Sequence, residues 1–391
     1  MTLGEDARLW ALRFMARSGT LDLTLPDGRV VRVGAGTPHA HLKIIGPSVG
    51  GMVLRRGLTG FAEAYMDGLV DTDDLGSLLS WGAANQRSWF DHPVSRATLP
   101  LRRLWQKIRP GRRHRRVRSM NDHYNLGNDF YASWLDETMT YSSARFATPD
   151  QSLADAQRNK YRAIADHAGL APGMRVLEIG CGWGGFAEYA ARERGCDVVG
   201  VTLSEEQAVY ARKRIVDAGL ADMVDIRIQD FRQVEEVFDA VVSIEMIESI
   251  DETQWPDLFA EISGSLGPGG LAAMQVITTT DDEWERYRSR ADFIQQYIFP
   301  GGQLPAPKVL RRLAAESGLS VEGVETFGLD YARTLSAWRA AFSQRWEVLT
   351  DAHGLDERFR RMWDMYLLLC ETGFRIGRIG VEQWVFRKVS A

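Results

Sequence analysis

Between Met174 and Ile277, short apolar runs alternate with amphipathic ones, and this alternation constrains the fold more than any other feature of the chain. Met174 to Ile179, Asp197 to Leu203, Val224 to Ile228, Phe238 to Ile244 and Leu271 to Ile277 have the length and apolar content of strands. Gly184 to Glu193, Glu205 to Ala218 and Gln254 to Leu266 read as helices between them. Parallel strands need a helix-length crossover, so such alternation builds a mostly parallel sheet with helices on both faces. The expected fold class is α/β and Rossmann-like, with ligands bound beyond the carboxyl ends of the strands.

Residues 1 to 105 read as a smaller α+β unit. Glu5 to Arg17 has Leu9, Leu12 and Ala16 at helical spacing, and Thr20 to Leu25, Pro26-Asp27-Gly28 and Val30 to Val33 form a hairpin signal. His41 to Ile45 is a further strand, and Leu58 to Asp67 and Asp74 to Gln86 are helices. His39 and His41, without acidic or Cys company in sequence, read as structural or surface residues, and no metal site is expected. Residues 106 to 118, punctuated by Pro110-Gly111, form a basic linker to a catalytic unit over 119 to 391. Arg102 to Arg118 holds nine Arg or Lys, and no acid occurs from His92 to Asn121, on a chain of net charge −5. Such a run is either a solvated linker or a contact for an anionic partner, phospholipid or nucleic acid. Three scattered cysteines, Cys181, Cys196 and Cys370, fit a reducing cytoplasm better than a disulfide framework. No apolar stretch is long enough to span a bilayer, and Met1 to Arg8 lacks a signal-peptide layout.

The densest chemical signal is Val176-Leu177-Glu178-Ile179-Gly180-Cys181-Gly182-Trp183-Gly184-Gly185-Phe186. Glycines at a strand-to-helix turn let backbone approach a ligand, and the helix start offers free N–H groups. Gly180, Gly182 and Gly185 alone also fit a dinucleotide fingerprint. Glu178 separates the alternatives, because its carboxylate repels a pyrophosphate and favours the ammonium and sulfonium of S-adenosylmethionine. Gly184 belongs to the same loop. Thr202 and Gln207, at the end of the second strand, are candidates for the ribose; Ser204 is a candidate helix cap with Gln207 three residues on. Gln229 or Asp230 is placed to meet the adenine edge and Phe231 to stack on it.

At this point the chain resembles the cyclopropane-fatty-acyl-phospholipid synthases and the mycolic acid cyclopropane synthases, over essentially its whole length. The stretches that carry the resemblance are His123 to Tyr131, Met139-Thr140-Tyr141-Ser142-Ser143, Gly180 to Phe186, Tyr297 to Gly302, Asp330 to Leu335 and Cys370 to Arg375. The resemblance implies a class I S-adenosylmethionine-dependent methyltransferase, with Tyr141 and Ser142 among its cofactor-binding residues. It implies methyl transfer to the double bond of an unsaturated acyl chain in a membrane phospholipid, through a carbocation. It also implies bicarbonate as the base, held at positions that fall on Ser143, Glu248, Gln275, Ile277 and Tyr331. Cys370 falls on a cysteine of the family's active-site set, although the reaction needs no nucleophile and packing is its more natural role.

Two of those five positions depart from the family, which has Cys where Ser143 stands and His where Gln275 stands. The family's Glu-His pair reads Glu248-Ser249, and Glu245 adds a carboxylate. Gln and Ser donate hydrogen bonds but neither shuttles a proton as His does. These departures point to the branch of the family that makes methylene- or methyl-branched chains, with a cyclopropane ring as the alternative product. The aromatic residues of Trp284 to Phe299 and Tyr331 to Trp363 suit an acyl tunnel or an ordinary helical core. The resemblance further implies a homodimer in the cytoplasm, peripheral at the inner membrane surface.

Two other readings fit less well. An NAD-dependent oxidoreductase lacks the acid at the end of the second strand. A nucleic-acid methyltransferase lacks an Asn/Asp-Pro-Pro-aromatic motif, and only Trp105 interleaves the basic run. A membrane-docking run contributes about 1 kcal/mol per basic residue near an anionic surface. Neutralising Arg112, Arg113, Arg115 and Arg116 is expected to weaken binding to anionic liposomes in sedimentation assays, and salt is expected to do the same to the unaltered chain. Binding that does not change between low and high salt would leave the run as a linker only.

Overall fold

The computed structural model describes residues 17–91, 126–289 and 291–389. The helix expected from Glu5, the basic linker and His123 to Asn125 lie outside the described residues. The chain divides into two units, the first taking in the described residues up to Asp91 together with Leu355–Thr372, the second Ser119–Gly354 and Gly373–Ala391.

In the first unit, β1 (Gly19–Thr24), β2 (Val30–Ala35) and β3 (His39–Ile44) are followed by α1 (Val49–Arg56), α2 (Leu58–Met66), β4 (Val70–Asp71) and α3 (Leu75–Asp91). The sheet order is β2-β1-β3-β4. The Pro26-Asp27-Gly28 turn joins β1 to β2 as an antiparallel hairpin, while β3 runs parallel to β1. Leu21, Leu23, Val33 and Ala40 are buried in its core. His39 contacts Asp22 at 2.9 Å, and both oxygens of Asp22 also accept from Arg32. These two partners hold the Asp22 carboxyl far below the usual range, and His39 serves as its hydrogen-bond partner across the strands.

The second unit begins with α4 (Asn128–Ala132), α5 (Leu153–His167), β5 (Arg175–Ile179), α6 (Gly185–Arg194), β6 (Asp197–Thr202), α7 (Glu205–Asp217), β7 (Val224–Ile228) and β8 (Phe238–Ile244). It continues with α8 (Trp255–Gly264), β9 (Leu266–Thr279), α9 (Trp284–Arg288), α10 (Phe293–Tyr297), α11 (Pro307–Glu316), β10 (Leu319–Thr326), α12 (Gly328–Gln344) and α13 (Trp346–His353). A last helix, α14 (Glu357–Arg375), and β11 (Ile379–Lys388) close the chain.

The sheet order is β10-β11-β9-β8-β5-β6-β7. β5 to β9 are mutually parallel, and β11 is antiparallel to both β9 and β10. Period-two alternation sends successive side chains to opposite faces. Leu177, Ile179, Val201, Val241 and Met274 pack against α8 and α11. Val176, Val198, Ala240 and Val242 pack against α5, α6 and α7. Glu178 shares the face of Val176, two residues away, and so is carried into an apolar layer.

The five anticipated strands are present within a residue or two at most ends, although β9 begins five residues earlier than read. The last two strands were not anticipated. β10 is an edge strand with mostly exposed side chains, so it shows no apolar run. The pattern of β11 is broken by Glu382 and Gln383, both buried. A purely linear domain boundary also missed Leu355–Thr372, which returns to the first unit from far along the chain.

Candidate active site

The carboxyl ends of β5, β6, β7 and β8 and the loops beyond them carry the anticipated glycines, Thr202, Gln229, Asp230, Phe231 and Glu248. After β5, Gly180, Gly182 and Gly184 take left-handed conformations, with φ of 83°, 52° and 78°. A Cβ on Gly182 would project into open space, whereas one on Gly180 would come within 2.6 Å of Met246 on the loop after β8. The cofactor loop and the acid-bearing loop are therefore in contact. Trp183 donates to Asn128 at 2.7 Å, which ties the glycine loop to the Gly127-to-Tyr131 motif.

Glu178 is buried, accepts from the Ala187 N–H at the start of α6, and leaves Oε2 without a partner. Burial pushes its carboxyl up to about 8, opposed by Lys160 and that N–H. Lys160, buried on α5, donates to Ser142 Oγ at 2.6 Å. Burial pushes its ammonium down to about 7, opposed by Glu245, Asp136 and Glu178. An orphaned acid oxygen beside an open glycine loop fits the cationic end of S-adenosylmethionine, with Glu178, Gly180, Gly182, Gly184 and Gly185 as the residues that would hold it. When bound, this molecule supplies an electrophilic methyl group.

The remaining anticipated cofactor residues are more occupied. Thr202 donates to Gln207 at 3.0 Å, and Ser204 caps α7 by accepting the Gln207 N–H. Gln229 donates to the Gln233 carbonyl at 2.7 Å, and Asp230 caps a short 3-10 turn while pairing with Arg232. Phe231 faces the core under α8, so the structure places its ring in packing, where sequence reading had it stacked on adenine. The Ser142 hydroxyl and carbonyl are both engaged inside, by Lys160 and Gln157. Tyr141 sits among rings: Trp338 at 5.1 Å, Tyr131 at 5.4 Å and Trp134 at 5.7 Å between centroids.

Five of the six anticipated catalytic positions converge, and they do so around Glu245. Its Oε1 accepts from the Ser143 N–H at 2.9 Å and from Gln275 Nε2 at 2.7 Å, and its Oε2 accepts from the Tyr331 hydroxyl at 2.7 Å. Ser143 contributes its backbone; its hydroxyl turns away to the Ala144 carbonyl. Glu248 accepts from the Ile277 N–H, and its Oε2 is buried without a partner. Gln275 is oriented by Gln383, which donates to its Oε1 at 3.0 Å and accepts from Arg145 at 3.2 Å. Asp330 and Thr334 of α12 accept the N–H groups of Phe146 and Ala144, which holds the segment after Ser143. The sixth position, Cys370, is half-buried on the part of α14 that belongs to the first unit.

Of the five positions that the resemblance gives to bicarbonate, Ser143, Gln275 and Tyr331 are engaged by Glu245, and Ile277 by Glu248, whose second oxygen stays without a partner. A further anion would find the Ser143 N–H, the Gln275 amide and the Tyr331 hydroxyl already donating to the Glu245 carboxyl, so these residues do not fit bicarbonate. Glu245 was visible in the sequence as an added carboxylate but without a role. Lys160, Gln157 and Gln383 were missed; the signal available was polar residues interrupting otherwise apolar faces.

The model of the family described as mycolic acid cyclopropane synthetase matches residues 111–384. Tuberculostearic acid methyltransferase of Mycobacterium tuberculosis is 39% identical, covering 96% of this chain and 90% of its own. Cyclopropane-fatty-acyl-phospholipid synthase of Escherichia coli is 35% identical, over 90% and 89%. The solved structure of mycolic acid cyclopropane synthase CmaA1 complexed with SAH and CTAB is 30% identical, with TM-score 0.64, covering 70% of this chain and 98% of that one. The fold is that of a class I S-adenosylmethionine-dependent methyltransferase, and the chain is an enzyme of that class. The chain belongs to the mycolic acid cyclopropane synthetase family.

Two outcomes test the site. Gly182→Val places a branched side chain in the open space at a left-handed φ, and is expected to abolish S-adenosylmethionine binding in calorimetry with the circular dichroism spectrum retained. Glu248 is raised from 4.5 to about 8 by burial and by Glu245, so the folded state holds more protons than the unfolded state between those values. Its contribution to stability is therefore lost as pH rises through that window. Glu248→Gln is expected to flatten the fall in urea midpoint between pH 5 and pH 8, and an unchanged slope would contradict the assignment.

Proposed function

We propose that this methyltransferase moves a methyl group from S-adenosylmethionine onto the double bond of an unsaturated acyl chain in a membrane phospholipid, and that the product carries a methylene branch. The observation that carries the reading is the buried Glu245–Glu248 acid pair, in contact with the cofactor loop through Met246 and Gly180. Alkene methylation leaves a carbocation whose excess proton must be removed in a dry site, and a carboxylate fixed there serves that purpose.

Aromatic side chains flank the acids. Tyr331 stacks on Phe374 at 4.5 Å and meets Trp338 edge-on at 6.1 Å, while Tyr141 reaches Phe299 at 6.4 Å. Their faces suit an acyl chain and an intermediate cation. The relative named as a fatty-acid methyltransferase matches over nearly the whole chain, which supports the branched product. The Escherichia coli relative keeps the cyclopropane ring as the second reading. A saturated methyl branch needs a hydride donor in addition. Peripheral docking on the cytoplasmic membrane face through Arg102 to Arg118, and a homodimer, complete the proposal.

Fatty acid methyl esters from a host expressing the chain with oleate supplied are expected to gain one CH₂. Ozonolysis is expected to cleave the product at a methylene group, giving a ketone. A product that resists ozonolysis and opens on catalytic hydrogenation would be a cyclopropane, and the branch reading would fall.

A further inference from the structure

We propose that Glu245 is a built-in replacement for an external anion, its carboxylate taking the proton from the newly transferred methyl group without bicarbonate. The inference rests on the reaction proposed above and names the base for it.

The geometry carries it. The carboxylate of Glu245 gathers the Ser143 N–H, the Gln275 amide and the Tyr331 hydroxyl, three of the five positions that the resemblance gives to the anion. The other two, Glu248 and the Ile277 N–H, bind each other. An ionised carboxylate has about four acceptor sites. Oε1 uses two and Oε2 one, so one acceptor site of Oε2 is left over after the Ser143, Gln275 and Tyr331 donors are counted. The backbone is committed to this placement: Glu245 has φ 50°, and its N–H donates to the Gln275 carbonyl at 2.8 Å. Glu248, with one backbone donor and a buried orphan oxygen, is the better holder of a resting proton, since its charge would face that of Glu245. The change at Gln275 is then matched to its partner. A glutamine, itself fixed by Gln383, donates to a fixed carboxylate and exchanges no proton with it.

The step balances. The π bond takes the sulfonium methyl and releases the thioether, leaving the cation on the neighbouring carbon. A hydride shifts from the methylated carbon to that neighbour. One C–H bond of the transferred methyl then breaks, its electron pair becomes the methylene double bond, and the proton passes to Glu245. In the ring-forming alternative the same C–H bond breaks and its pair closes the ring, so the base is the same. The acid returns its proton to water before the next turnover.

The test compares the full chain with Glu245→Gly and Glu245→Gln in sealed, carbon dioxide-free buffer with and without added bicarbonate. Acyl product is read by mass spectrometry and bicarbonate retention by equilibrium dialysis of the labelled ion. Glycine is at home at φ 50°, so this variant is expected to fold and to bind S-adenosylmethionine. The unaltered chain is expected to retain no bicarbonate and to work at the same rate without it. Glu245→Gly is expected to lose ~100-fold or more of its rate, to retain bicarbonate and to recover activity when it is added. Glu245→Gln, whose amide fills the place, is expected to be slow in both buffers. A wild-type rate that needs bicarbonate, or a Glu245→Gly variant at full rate without it, would overturn the inference. If the unaltered chain methylates no unsaturated phospholipid, the proposed reaction fails, while the dialysis result still decides whether Glu245 occupies the anion's place.

Discussion

A carboxyl inside a protein must be hydrogen-bonded, and the second unit is organised around meeting that demand at Glu245, where burial raises the carboxyl and the Gln275, Tyr331 and Ser143 donors and Lys160 oppose the rise. Its three donors come from Ser143, Gln275 and Tyr331, far apart in sequence. Each is fixed by something else: Ser143 through the neighbouring contacts of Ala144 and Phe146 to α12, Gln275 by Gln383, Tyr331 by its place on α12 and its stacking on Phe374. Charge-assisted bonds of this kind are roughly twice as strong as neutral ones, and leaving one such acceptor unpaired costs several kcal/mol, on the order of 3 to 5.

The same demand explains the buried polar residues around the site. Lys160 lies where Glu178, Glu245 and Asp136 all attract it, and its ammonium is anchored on Ser142. It links electrostatically the acid that suits the cofactor to the acid that suits the proton. Contact between Met246 and Gly180 brings the two loops together physically. The glycine loop after β5 and the acid-bearing loop after β8 are thereby neighbours at the carboxyl ends of one sheet.

The antiparallel strand at the sheet's far side is part of the catalytic arrangement as well as of the fold. β11 pairs with β9 so that Gln383 lies opposite Gln275. Their amides bond to each other, and Arg145 continues the chain to Glu325. A strand that packs Trp384 and Phe386 into one core thus also fixes the amide that donates to Glu245.

The sequence by itself determined the layered α/β fold, the glycine loop with Glu178, and the set Ser143, Glu248, Gln275, Ile277 and Tyr331, because periodicity, local turn chemistry and family motifs are properties of short segments. It showed Glu245 as an extra acid but not its use. That use depends on the left-handed backbone at Glu245 and on donors contributed by three distant segments, and no local pattern encodes either. The same limit hid Gln383 and Lys160, whose polar side chains look like interruptions until their partners are in place, and the packing of the Phe231 ring in the core under α8. Tertiary structure alone decided that Ser143 offers its backbone instead of its hydroxyl, and that the Ser143 N–H, the Gln275 amide and the Tyr331 hydroxyl meet on the Glu245 carboxyl.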